Sequence, residues 1–151
     1  MRHQLFIVFF FMIATSACDI YYGVSRHTII EQPTSYECVL SAIRAVSGIV
    51  EAELRTVEGG RRLTLTGLQK PKLLHYFIYK TDSFQHSLLI AEEFDGTLEY
   101  RHGYQQINKK PSQVEVDNAM NVIKAIDASV EKRCGIKALS NLTNVCNGVK
   151  C

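Results

Sequence analysis

Apolar residues recur along this chain with two different periods, and the change of period divides it into elements. Val39, Leu40, Ile43 and Val46 stand at helical spacing, after a Thr34-x-x-Glu37 of capping-box form and before Gly48. The same grammar returns near the other end. There Pro111 and Ser112-x-x-Glu115 precede Val116, Ala119, Met120, Ile123, Ile126 and Val130, and Lys132, Arg133 and Gly135 close the helix. Between the two helices apolar and polar residues alternate, which predicts strands over Val50 to Val57, Arg61 to Thr66, Leu73 to Lys80, Phe84 to Phe94 and Thr97 to Tyr104. Gly59-Gly60, Gly67 with Pro71, Thr81-Asp82-Ser83 and Asp95-Gly96 supply the turns. The expectation is an α+β fold with two helices packed on one face of a four- to five-stranded antiparallel meander, in the order helix, strands, helix.

Both faces of the central strands carry apolar residues. A core face of Leu74, Tyr76, Ile78, Leu88 and Ile90 leaves Phe77, Tyr79, Leu89, Leu98 and Tyr100 opposite, with His75, Ser87 and His102 among them. An exposed aromatic patch of that kind marks a partner or ligand surface, so His75, Phe77, Tyr79, Ser87, Leu89, Tyr100 and His102 form the candidate binding face. The competing reading is that the lead-in from Asp19 to Pro33, a tether followed by an extended segment whose Tyr21, Tyr22, Val24, Ile29 and Ile30 can pack or form a first strand, or the C-terminal tail, covers it.

The first residues change the picture from fold to location. Arg2 precedes an apolar run from Leu5 to Ala17 with small residues at its end, the three parts of a secretory signal peptide. The run is shorter than the roughly 20 apolar residues a membrane-spanning helix needs. Thr15, Ser16 and Ala17 directly before Cys18 resemble the lipobox of bacterial lipoproteins, with Thr15 where that family usually carries Leu. The resemblance covers about four residues. It implies cleavage after residue 17, lipid on Cys18 and a membrane anchor, and says nothing of the fold beyond. Asp19 after Cys18 also resembles the signal that holds lipoproteins of enteric bacteria in the inner membrane. The resulting organisation is a signal peptide (1–17), a lipidated N-terminus and tether (18–33) and one α+β domain with a disulfide-fixed C-terminal tail (34–151). The alternative is cleavage after Ala17 and soluble secretion.

Five cysteines, Cys18, Cys38, Cys134, Cys146 and Cys151, are an odd number for an oxidising compartment. Lipid on Cys18 leaves Cys38, Cys134, Cys146 and Cys151 for two disulfides, with three connectivities open. Cys38 lies to one side of its helix's apolar stripe, placed to bond something crossing that helix, such as the cysteine-bearing tail from Ile136.

Charge and motif narrow the chemistry. The formal net charge of +2 includes Arg2, and the pairs Arg61-Arg62 and Lys109-Lys110 flank turns, so no basic face for nucleic acid is expected. CxxC, HExxH, GxSxG and P-loop patterns are absent from the sequence. A hairpin centred near Asp82 sets His75 and His86 on opposite faces, and His75 and His102 about 10 Å apart, too far to share a metal. Glu92 and Glu93 point to opposite faces of one strand. Asn141-Leu142-Thr143 fits the glycosylation pattern, which matters only in a eukaryotic host. The expectation is a non-enzymatic envelope protein that faces the periplasm, needs no cofactor, and binds or supports another envelope protein. The alternatives are a periplasmic inhibitor or immunity-type protein against a toxin or lytic enzyme, and a hydrolase without a legible site.

Overall fold

The computed structural model describes residues 20–31, 35–59, 63–64, 67–68, 73–92, 96–137 and 143–150. Among the described residues, eight strands and two helices follow in the order β1 (Tyr21–Ile30), α1 (Tyr36–Arg44), β2 (Glu51–Glu58), β3 (Leu63–Thr64), β4 (Gly67–Leu68), β5 (Leu73–Lys80), β6 (Gln85–Glu92), β7 (Leu98–Ile107), α2 (Gln113–Cys134) and β8 (Thr143–Asn147). Six strands form one antiparallel sheet in the order β2-β5-β6-β7-β1-β8, and β3 and β4 pair separately. The α+β class stands, but strands flank both helices.

The extra strands come from segments assigned above to the tether and the tail. After β1, α1 carries the chain to the far edge at β2, and the meander β2-β5-β6-β7 returns to β1. Residues Tyr21 to Ile30 then pair with Ile107 to Leu98 along their whole length, so the lead-in forms the first strand open to it, and that strand is internal to the sheet. After α2, β8 pairs along the other edge of β1, from Gly23↔Asn147 to His27↔Thr143.

Both helices cover the same sheet face. Val39, Leu40, Ala42 and Ile43 of α1 and Ile126, Val130 and Cys134 of α2 join Ile30, Ala52, Phe77, Tyr79, Leu88, Ile90 and Tyr100 in one core cluster. The first half of α2 packs Val116, Ala119 and Ile123 on Val24 and Tyr104. The α2 cap is the one its sequence encodes. Ser112 Oγ accepts from Glu115 N–H at 3.3 Å, and Glu115 Oε2 accepts from Ser112 N–H at 2.6 Å. Gly135 ends the helix in the left-handed conformation, φ +66°. At α1 the cap is Ser35, which accepts from Cys38 N–H at 3.0 Å; Thr34 lies outside the described residues. That helix stops at Ala45, before Gly48, which serves the turn into β2.

Cys38 bonds Cys134, tying the first turn of α1 to the last residue of α2 rather than to the tail. Cys146 is also disulfide-bonded, with a partner outside the described residues, where Cys18, Cys151 and Asn141 lie too. Among the described residues no helix is long and apolar enough to cross a membrane.

Candidate functional site

The register of β5 on β6 decides which residues face solvent. Thr81 N–H donates to Phe84 O at 2.9 Å, and Thr81 Oγ1 accepts from Phe84 N–H at 3.1 Å, closing a turn centred between Asp82 and Ser83. Phe77 therefore sits opposite Leu88, and Ile78 opposite Ser87. A centre on Asp82 pairs Phe77 with Ser87 instead, and a slip of one residue exchanges the faces of a strand. The expected binding face consequently splits. His75, Phe77, Tyr79, Tyr100 and His102 lie buried beneath the helices, while Ser87 is exposed and Leu89 half-buried on the opposite face. Leu74, Tyr76 and Ile78, expected in the core, are half-buried on that opposite face as well. His86 shares the covered face with His75, correcting the expectation that they lie on opposite sides.

The buried face contains a polar chain. Tyr79 Oη lies 2.5 Å from His102 Nε2, and His102 Nδ1 lies 2.6 Å from Asp127 Oδ1. Tyr100 Oη donates to the same carboxylate oxygen at 2.6 Å, and Arg26 of β1 pairs with Oδ2. An ionised carboxylate only accepts, so Nδ1–H is the donor in the His102–Asp127 bond. Burial pushes the Asp127 carboxyl up, but the hydrogen bond and charge of His102, the Tyr100 hydroxyl and the Arg26 charge outweigh it and hold it below its ordinary value. Burial and the neighbouring Asp127 raise the Tyr79 and Tyr100 hydroxyls, so both stay protonated. This arrangement resembles a relay, yet His102 is 0% exposed, and no substrate atom can reach its ring. It joins β1, β5, β7 and α2.

His86 lies beside this chain, stacked on Tyr79 with ring centroids 4.9 Å apart, and among the described residues neither ring nitrogen has a hydrogen-bond partner. Burial, then the nearby His102, lowers its pKa to about 4. His75 stacks on Tyr36 of α1 at 3.5 Å and shares a 3.0 Å hydrogen bond with Thr56. His75, His86 and His102 are thus held within the covered face, and among the described residues no group of three or more His, Cys, Asp or Glu side chains is arranged to hold a metal.

The open face carries the accessible site, a concavity of about 490 Å3. Cross-strand register builds it in rows. Ser87, Gly103, Ser25 and Val145 stand side by side and form a floor of mostly small residues. Tyr76, Leu89, Arg101 and His27 form the taller row on one side, with Gln105, Gly23 and Asn147 on the other. The glycines are dictated by the approach of β1 to β7: a Cβ on Gly23 would lie 2.1 Å from Tyr104 O, and one on Gly103 would lie 2.8 Å from Ser25 Cβ. Ser25 Oγ and His27 Nε2 are 2.8 Å apart. Burial and then Arg101 lower the His27 pKa, with Glu99 opposing, which favours the neutral imidazole. Arg101 is itself held by Glu99 through two 2.7 Å bonds.

Sequence reasoning found Ser87 and Leu89 of this groove and missed Ser25, His27, Tyr76, Arg101 and Gln105. Alternation along β1 was the available signal, because Gly23, Ser25 and His27 share one parity and Val24, Arg26, Thr28 and Ile30 the other. Asp127 had a signal too, an acid beside Ile123, Ile126 and Val130 on the apolar stripe of α2. No protein-family model, curated protein or solved structure matches the chain.

Proposed function

We propose that this is an exported, lipid-anchored bacterial envelope protein whose single domain binds another envelope component on its open sheet face, without catalysis. One observation carries the reading: two helices fill one face of the sheet, while the other keeps a groove of about 490 Å3 lined by hydroxyl, amide, imidazole and aromatic side chains. Convergent polar groups in a concavity with some apolar wall are the usual make-up of a binding site. The Cys38–Cys134 disulfide supports an oxidising compartment, in keeping with the apolar run before Cys18. The most relay-like histidine is sealed under α2, which supports binding over chemistry.

A photo-crosslinking side chain at exposed Ser87, with a control at Lys124 on exposed α2 surface, tests the face in native membranes. Adducts from position 87 alone are expected; equal labelling, or none, removes the reading. Intact mass of the same protein tests the anchor, because an unacylated N-terminus excludes lipid on Cys18.

A second reading, a hydrolase, is favoured by the Ser25–His27 pair, since a hydroxyl bonded to an imidazole is the core of an activated nucleophile. Turnover of ester or glycoside substrates that vanishes in Ser25→Ala would establish it.

A further inference from the structure

The shape and charge of the groove restrict what it can take, and the following rests on its being the binding surface. We infer that its ligand is a neutral, hydroxyl-rich chain laid across the strands, a glycan segment bearing acetamido groups. The length is set by the sheet. From Tyr76 on β5 to Val145 on β8 the lining crosses four inter-strand spacings, about 19 Å, the span of about four sugar rings.

The class follows from which hydrogen-bonding groups line the groove. On a sheet face the backbone N–H and C=O groups of β6, β7 and β1 are engaged in their ladders, so an extended peptide laid across them would find no backbone partners there; β8 is an edge strand, which a peptide could pair only by running along it rather than across the groove. Recognition must come from side chains. Ser25, Ser87, Tyr76, Gln105, Asn147 and His27 line it with hydroxyl, amide and imidazole groups, the complement of sugar hydroxyls; Ser25 and His27 already bond each other and Asn147 Nδ2 donates to Tyr21 O at 2.6 Å, so these three meet a ligand through their remaining donor and acceptor positions.

Charge pairing weighs against a polyanion. The guanidinium of Arg101 is already matched by Glu99, and Arg55 on the same face by Glu53 at 2.6 Å. An anion would have to compete with those carboxylates. Tyr76 supplies aromatic surface at one end, and Leu89, next to it in the row, an apolar spot for an acetamido methyl group. The floor cannot be raised at Gly103, where a Cβ would meet Ser25 Cβ at 2.8 Å, so the depth is fixed by how closely β1 and β7 approach.

The test is amide NMR of the full-length protein in micelles, titrated with chitotetraose and, separately, with an uncharged pentapeptide. Chitotetraose should shift the amides of Ser25, Ser87 and Gly103; Tyr76→Ala should weaken binding about tenfold. Ser87→Tyr, at an exposed floor position, should abolish it while the amides of Phe77 and Ile123 stay in place, separating blockage from unfolding. No shift with chitotetraose, or unchanged binding by Ser87→Tyr, overturns the inference. A response to the peptide alone overturns the glycan and keeps the groove as a binding surface; silence toward both, together with no adduct from position 87, removes both readings.

Discussion

His102 of β7 and Asp127 of α2 meet at 2.6 Å, and that bond ties the middle of the long helix to the centre of the sheet. Tyr100 and Arg26 bond the same carboxylate, which thus serves two strands directly and reaches Tyr79 of a third through His102. Asp127→Ala should lower stability by about 3 kcal/mol, because it leaves His102 and Arg26 largely out of water without their anion. Urea unfolding measures it. A midpoint within experimental error of the parent would mean that the network is dispensable.

His86 makes the fold acid-sensitive, and the sign follows from its lowered pKa. Folded His86 titrates near 4 and unfolded near 6.5, so its neutral form favours the folded state fully above pH 6.5, and that stability is lost as pH falls from 6.5 to about 4. The loss amounts to about 3 kcal/mol. Asp127, also lowered, adds a loss at still lower pH, as its carboxyl is protonated. His86→Phe keeps the stacking on Tyr79 and removes the titration. Burial also lowers His27 and His75, so both proteins lose stability on acidification, but thermal midpoints from pH 7 to 4.5 should fall more steeply for the parent than for the variant; parallel falls would place the acid sensitivity elsewhere.

The Cys38–Cys134 bond spans 96 residues of sequence. A loop that long restricts the unfolded chain strongly, so Cys38→Ala with Cys134→Ala should lower stability by about 4 kcal/mol. Guanidinium unfolding of the double variant checks this, and a shift equivalent to less than about 1 kcal/mol would mean that core packing alone holds α1 to α2.

Gly23 of β1 and Gly103 of β7 stand in adjacent rows of the groove, opposite Gln105 and Ser25 respectively, in different degrees of crowding. A Cβ at Gly23 runs into backbone oxygen at 2.1 Å, whereas at Gly103 it meets Ser25 Cβ and Val24 O at 2.8 Å. Gly23→Ala should therefore be the more damaging substitution, by about 1 kcal/mol or more, with both variants below the parent. Equal thermal midpoints for the two variants would show that the strands separate without penalty.

The sequence by itself determined the elements whose signals are local. In α2 the capping box, the stripe from Val116 to Val130 and the left-handed Gly135 lie within one helix and act through neighbouring turns, so all three were legible. Alternation bounded β5 at Leu73 and Lys80 for the same reason. Tertiary structure decided the rest. With Tyr76 and Ile78 on one side of β5 and Phe77 and Tyr79 on the other, either parity could enter the core, and only the turn at Thr81–Phe84 and the cover of α1 and α2 selected Phe77 and Tyr79. Tyr21 to Ile30 became an internal strand because β7 returns from the far edge of the sheet to lie beside it, a contact between residues far apart in the chain that no local pattern encodes. The groove and the Asp127 network arise in the same way: each is assembled from separate strands whose side chains become neighbours only once register is set.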